Sequence, residues 1–237
     1  MTDDKPLVTC VQLAVGRDGQ TVLGGIDVTI EKGETLGIIG RSGSGKTTLL
    51  QTFAGEIDPI EGEADVLGTP LSQRPPAGEL GYIPQSLGLV PHLTVRRSVL
   101  HGTLPRLGRL ESLLGRFPAS AERDVMDAIE MVELDGMEHR RVKTLSGGQQ
   151  RRVAIARALV QRPRLLLADE MLSELDTATA QSIINCLERL QSEAKMTVII
   201  VEHDLSMLRS LADRLLVIED GTLVPWEEAT SEGSVDV

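Results

Sequence analysis

Aromatic side chains make up only 2% of this 237-residue chain: two Phe, one Tyr and one Trp. That scarcity excludes a base-stacking platform, which needs several flat side chains in succession. A basic excess is missing too. Lys and Arg number 24 against 35 Asp and Glu, a net charge of −11, whereas phosphate backbones are held by basic patches, so no nucleic acid is expected as a partner. No run of roughly eighteen or more apolar residues occurs, so nothing is predicted to span a membrane. The start Met1-Thr2-Asp3-Asp4-Lys5 is polar and acidic, and no secretory leader is expected. The two cysteines, Cys10 and Cys186, stand far apart without metal-ligand spacing. A reducing compartment and a packing role for each are expected.

What the chain does have is glycine where phosphate chemistry needs it. Residues Gly40 to Thr48 read Gly-Arg-Ser-Gly-Ser-Gly-Lys-Thr-Thr and follow the apolar run Leu36-Gly37-Ile38-Ile39. This is a phosphate-binding loop where a buried strand turns into a helix. Gly40, Gly43 and Gly45 let backbone N–H groups converge on phosphate oxygens. Lys46 supplies a point charge for the outer phosphates, and the Thr47 hydroxyl is placed to ligate Mg²⁺. Ser42 and Thr48 complete the predicted cradle for a nucleoside triphosphate. A glycine-rich turn that only joins a strand to a helix would not need the Lys-Thr ending.

Leu165-Leu166-Leu167-Ala168 reads as a buried strand delivering Asp169 and Glu170 at its tip. Hydrolysis needs one acid for the Mg²⁺ shell and one to orient and deprotonate water; Asp169 takes the first role and Glu170 the second. Alone, the acidic pair could be a solvated strand end. Between the two motifs lies Leu145-Ser146-Gly147-Gly148-Gln149. Ser146 can cap the helix that follows, and the glycines leave its N-terminus bare, a second anion site. An ordinary Ser-Gly helix cap is the plainer account of that pentapeptide by itself.

Taken in order, these residues resemble the ATP-binding-cassette (ABC) ATPases. Leu145 to Gln149 matches the family's signature sequence. Gln85, in Gly81-Tyr82-Ile83-Pro84-Gln85, matches its Q-loop glutamine; Ser173-Glu174-Leu175-Asp176 resembles its D-loop, and His203 its switch histidine. The likeness runs from about Leu7 to Leu223. It implies a head-to-tail homodimer holding two ATP molecules, each between one chain's phosphate loop and the other chain's Ser146–Gln149. It further implies that Asp176 lines that composite site, that Gln85 joins Thr47 and Asp169 around Mg²⁺, and that Gln85 and His203 assist Glu170. Two transmembrane permease subunits and an external solute-binding protein are the implied partners, with the chain peripheral on the cytoplasmic face of the cell membrane. Leu89–Val95 is similar to the importers' permease-facing stretch, and Val99–Gly102 with Leu113–Pro118 to phosphonate-importer ATPases. The implied solute is a phosphonate or a related oxyanion, phosphite or phosphate. An exporter or lipoprotein-release ATPase, and a soluble ABC ATPase of phosphonate breakdown, are the alternatives.

There are two departures from the family pattern. The turn between the first strands holds no aromatic to stack on adenine; the position falls on Arg17, whose guanidinium plane can stack or can simply be solvated. Met171 stands where proline commonly follows the catalytic glutamate. The expected fold is α/β, a P-loop NTPase core with a mainly parallel sheet, an N-terminal antiparallel β part and a helical subdomain. Residues 1–225 are read as one nucleotide-binding domain. Residues 86–144, continuing into the signature helix to about 161, form its helical subdomain, and 226–237 is read as an acidic, disordered tail.

Overall fold

The computed structural model describes residues 5–106, 117–173 and 175–231. Its N-terminal layer is an antiparallel sheet in the order β2-β1-β4-β5, from β1 (Val8–Arg17), β2 (Gln20–Ile30), β4 (Glu61–Val66) and β5 (Thr69–Pro70). Arg17 pairs with Gln20, so the hairpin turn is Asp18-Gly19 alone, both at positive φ. That backbone twist suits a two-residue hairpin, and Asp-Gly supplies it at low steric cost.

The second sheet has the order β10-β9-β3-β8-β7-β6, and it positions the site. Strands β3 (Thr35–Ile39), β6 (Leu80–Ile83), β7 (Leu165–Asp169), β8 (Thr197–Glu202) and β9 (Arg214–Glu219) run parallel. Only the edge strand β10 (Thr222–Pro225) is antiparallel. Every residue of β3, β7 and β8 is buried, as expected where both faces of a parallel sheet are covered. Alternate residues enter two cores. Leu165, Leu167, Ile199 and Val201 face the core shared with the first sheet and α1 (Lys46–Phe53). Leu166, Ala168, Val198 and Ile200 face the helices.

Those helices include α2 (Val95–His101), α3 (Ala119–Met131), α4 (Gly147–Leu159), α5 (Thr177–Ala194) and α6 (Leu205–Leu211). Apolar stripes at helical spacing form their buried faces: Val125 and Ile129 of α3 with Val132 just past it, and Ile183, Ile184, Leu187 and Leu190 of α5. Within 86–144 the described helices include α2 and α3; Leu107 to Arg116, with most of the phosphonate-importer-like segment, lie outside the described residues, as does Glu174.

The C-terminal stretch differs from the expected disorder. Trp226–Ser231 forms a helix, α7. Ala229 is buried in the helical core, Trp226 packs against it, and the Arg209 guanidinium lies 5.8 Å over the Trp226 ring. Acidic composition concealed two apolar side chains one helical turn apart. Residues 232–237 lie outside the described ones.

Both cysteines are buried. Burial, with the Asp27 charge in support, pushes the Cys10 thiol up to about 12. It is unreactive, in keeping with a packing role.

Candidate functional site

The sheet order explains why residues far apart in sequence meet. Registers align Ile39 with Glu202, Val201 with Asp169, and Ala168 with Ile83. The C-terminal ends of β3, β8, β7 and β6 therefore deliver the phosphate loop, Glu202-His203, Asp169-Glu170 and Gln85 along one edge. That is where parallel α/β sheets place their ligands.

The loop that follows β3 is shaped by close approach. Gly45 has φ 106, and a Cβ there would lie 2.8 Å from Val22 Cγ1 and 2.9 Å from Leu23 Cγ. A side chain is excluded by conformation and by space together. Gly45 also caps α1 without a side-chain hydrogen bond, so the first N–H groups of the helix are left for an anion. Lys46, the first residue of α1, is only 4% exposed. Its ammonium donates to the Gly40 carbonyl at 2.6 Å and to that of Arg41 at 3.2 Å, and pairs with Glu170 Oε1 at 3.1 Å. Gln85 Nε2 donates to Glu170 Oε2 at 2.8 Å. The structure thus joins three of the sequence-predicted residues through one carboxylate.

Asp169 lies beside them at the end of β7, 1% exposed, with both carboxylate oxygens buried and without hydrogen-bond partners. Burial raises its pKa, and the nearby Thr47 and Tyr82 hydroxyls and the Lys46 charge offset only part of that. An orphaned carboxylate at this depth is costly, and a hard cation would relieve it. No cluster of three or more His, Cys, Asp or Glu fit to hold a metal occurs among the described residues. A cation here would complete its shell with the Thr47 hydroxyl, the Gln85 carbonyl and ligand oxygens, which suits Mg²⁺.

The start of α4 is capped by Ser146 as expected. Ser146 caps α4 in a capping box: Gln149 N donates to Ser146 Oγ at 3.2 Å, and Ser146 N to Gln149 Oε1 at 3.0 Å. Ser146 and Gly147 are exposed, and Gly148 is buried. Asp176 caps α5, accepting from Thr179 N at 3.0 Å and Thr179 Oγ1 at 2.6 Å, which holds its carboxyl below the usual range. Neither cap makes a hydrogen bond or ion pair with the Lys46–Glu170–Gln85 group among the described residues. His203 is exposed just past β8. Its neighbour Asp204 is occupied in capping α6 through Ser206. Arg17 donates to the Gln51 side chain of α1.

Sequence reasoning missed Glu202 and Arg151. Glu202 is fully buried at the end of β8, and Arg151 bonds the carbonyls of Met171 and Ser173. A charged residue closing the apolar run Thr197–Val201 was the visible sign of the first.

A phosphate loop, an acidic strand end and a glutamine converging on one sheet edge define a P-loop nucleoside-triphosphatase. The family model described as ABC transporter matches residues 23–173. The chain belongs to the ABC transporter family, and is its ATPase domain by sequence and by fold. A spermidine/putrescine import ATP-binding protein, PotA of Mesoplasma florum, is 38% identical over 211 residues, 87% of this chain and 57% of that one. The chain thus spans little more than half the length of that relative. A phosphonates import ATP-binding protein, PhnC of Trichormus variabilis, is 36% identical over 228 residues, 94% of this chain and 89% of that one. Among solved structures, the dimeric bacterial ABC transporter cassette MJ0796 is 28% identical with a TM-score of 0.75, covering 91% of this chain and 96% of that one.

Proposed function

We propose that this chain is the ATP-hydrolysing subunit of an importer, working as a head-to-tail pair on two membrane permease subunits fed by an external solute-binding protein. The observation that carries the reading is the Lys46–Glu170–Gln85 contact beside the unpartnered Asp169 carboxylate. Lys46 and the bare start of α1 bind the outer phosphates. Thr47, Gln85 and Asp169 would hold Mg²⁺, which when bound neutralises phosphate charge. Glu170 orients water and takes its proton, and His203 steadies the γ-phosphate. Ser146–Gln149 and Asp176 close over the nucleotide of the opposite chain.

No helix among the described residues is long and apolar enough to cross a membrane, so the path for solute belongs to other subunits. A groove of about 510 Å³ beside β6, lined among others by Tyr82, Pro84, His101, Pro105 and Arg157, is the proposed permease dock. Nearby, Val90 is 50% and Leu104 36% exposed, apolar surface suited to a partner. The solute is a phosphonate or related phosphorus oxyanion. The likeness to PhnC proteins supports this, and the likeness to PotA proteins makes spermidine or putrescine the competing solute.

The test is uptake by proteoliposomes holding this chain and its co-purifying permeases. ATP-driven entry of a radiolabelled phosphonate is expected. Uptake of spermidine alone would overturn the solute, outward movement the direction, and failure to bind any permease the transport role.

Arg17 is assigned to adenine, its guanidinium plane turning from Gln51 to the base. Arg17→Ala should weaken ATP binding by about 0.5–2 kcal/mol, with Arg17→Tyr restoring it. Calorimetry giving equal ATP affinity for all three proteins would leave adenine unstacked by this turn.

A further inference from the structure

The turn after Glu170 is anchored by side chains from two other elements. Glu170 sits in the left-handed region, with φ 48, where a residue with a Cβ stays only if its surroundings hold it. Its N–H donates to the Val201 carbonyl at 2.9 Å, and its own carbonyl accepts from Ser173 Oγ at 2.8 Å. Arg151, near the start of α4, donates through Nε to the Met171 carbonyl and through its terminal NH₂ to that of Ser173. The Leu172 N–H then donates to Glu202 Oε1 at 2.7 Å.

Leu172 and Glu202 are both 0% exposed, and the second Glu202 oxygen has no hydrogen-bond partner. A strand end needs no buried carboxyl, and one left half-satisfied is destabilising by itself. Among the described residues, its carboxyl takes one hydrogen bond, from the turn that carries the base. Glu202 also closes β8 immediately before His203, opposite Ile39 at the root of the phosphate loop.

We propose that Glu202 is a positioning residue for Glu170. With Arg151 on the opposite polarity, it clamps Met171–Ser173 and holds Glu170 in the left-handed conformation that directs its carboxylate to Lys46 and Gln85. The inference rests on the ATPase reading above. The charged groups acting on Glu202 are Glu170, Arg151 and Lys46, but burial dominates and pushes its carboxyl up to about 7. Either protonation state accepts from the Leu172 N–H, so the clamp works on both sides of neutrality.

Glu202→Leu keeps the volume and removes the acceptor. Its kcat for ATP should fall about tenfold or more, while KM and affinity for a non-hydrolysable ATP analogue stay within about twofold of the parent. Glu202→Gln, which retains an acceptor oxygen, should recover kcat to within about threefold. Should the leucine variant fail to fold, Arg151→Met reads the other half of the clamp, with the same selective loss of kcat expected. Parental kcat in Glu202→Leu, or in Arg151→Met if that replaces it, overturns the proposal. So does an equal loss in the glutamine variant, or a fall in nucleotide affinity that tracks kcat. A parent protein that shows no Mg²⁺-dependent ATP hydrolysis would instead overturn the functional reading itself.

Discussion

Glu170→Gln should stop ATP turnover while leaving the nucleotide bound. The substitution keeps the shape of a side chain that touches both Lys46 and Gln85, and removes the basic oxygen proposed to take the proton from water. A positioned general base contributes about 10²–10⁴-fold, so kcat should fall by at least about two orders of magnitude. Affinity should move the other way. Lys46 divides its charge between loop carbonyls and Glu170, and an uncharged partner at 170 leaves more of that charge for phosphate. The variant should accumulate as a closed, ATP-loaded dimer, visible by gel filtration as a doubling of mass with ATP. Steady-state hydrolysis above a few per cent of the parental rate would remove Glu170 from the role of base.

Lys46→Ala is expected to have the second large effect, and through two routes. The first is loss of the ammonium proposed to hold the outer phosphates, which should weaken ATP binding by about a hundredfold, in line with the loss of a buried charged contact of about 3 kcal/mol. The second acts on the protein itself. Lys46 draws down the proton affinity of Asp169 and of Glu202, and pairs directly with Glu170. Without it, the Asp169 and Glu202 carboxyls lose a nearby cation and their proton affinity rises further. Nucleotide-free Lys46→Ala should therefore unfold at a lower temperature than the parent, with the gap widening as pH rises and the acids ionise. Fluorescent-nucleotide titration and thermal melts at pH 6 and pH 8 measure the two routes separately. Parental affinity would refute the phosphate role of Lys46, and identical melting at both pH values would refute the carboxylate cluster.

The parts of the fold that were legible in sequence are those whose pattern is forced by burial. Strands β3 and β7 are covered on both faces, so their middles had to be apolar, and Leu36–Ile39 and Leu165–Ala168 read that way. The stripe Ile183, Ile184, Leu187 and Leu190 could be placed on one helix face for the same reason. Strands β5 and β10 escaped notice because they are two and four residues long, each closes on a proline, and they sit at sheet edges. Short edge strands carry little pattern to read. At the site, the phosphate loop was legible from its own residues, the acidic pair only in company with that loop, and the signature segment only through the family resemblance. Spacing could not reveal that Glu170 would join Lys46 and Gln85 through one carboxylate, which depends on strand order. Nor could it reveal Glu202, since whether an acid at a strand end points inward is decided by register and by the Leu172 N–H that awaits it.

Gly148 lies against the start of α5: a Cβ on it would meet Thr179 Cγ2 at 2.4 Å. The helix start bearing Ser146 and the one bearing Asp176 are therefore in contact across a seam only a hydrogen atom wide. Any larger residue at 148 would act as a wedge, prising apart the two caps at once. Thr179 also donates to the Asp176 carboxylate, so the bulk that glycine spares at 148 would press directly on the hydrogen bonds that close the neighbouring cap.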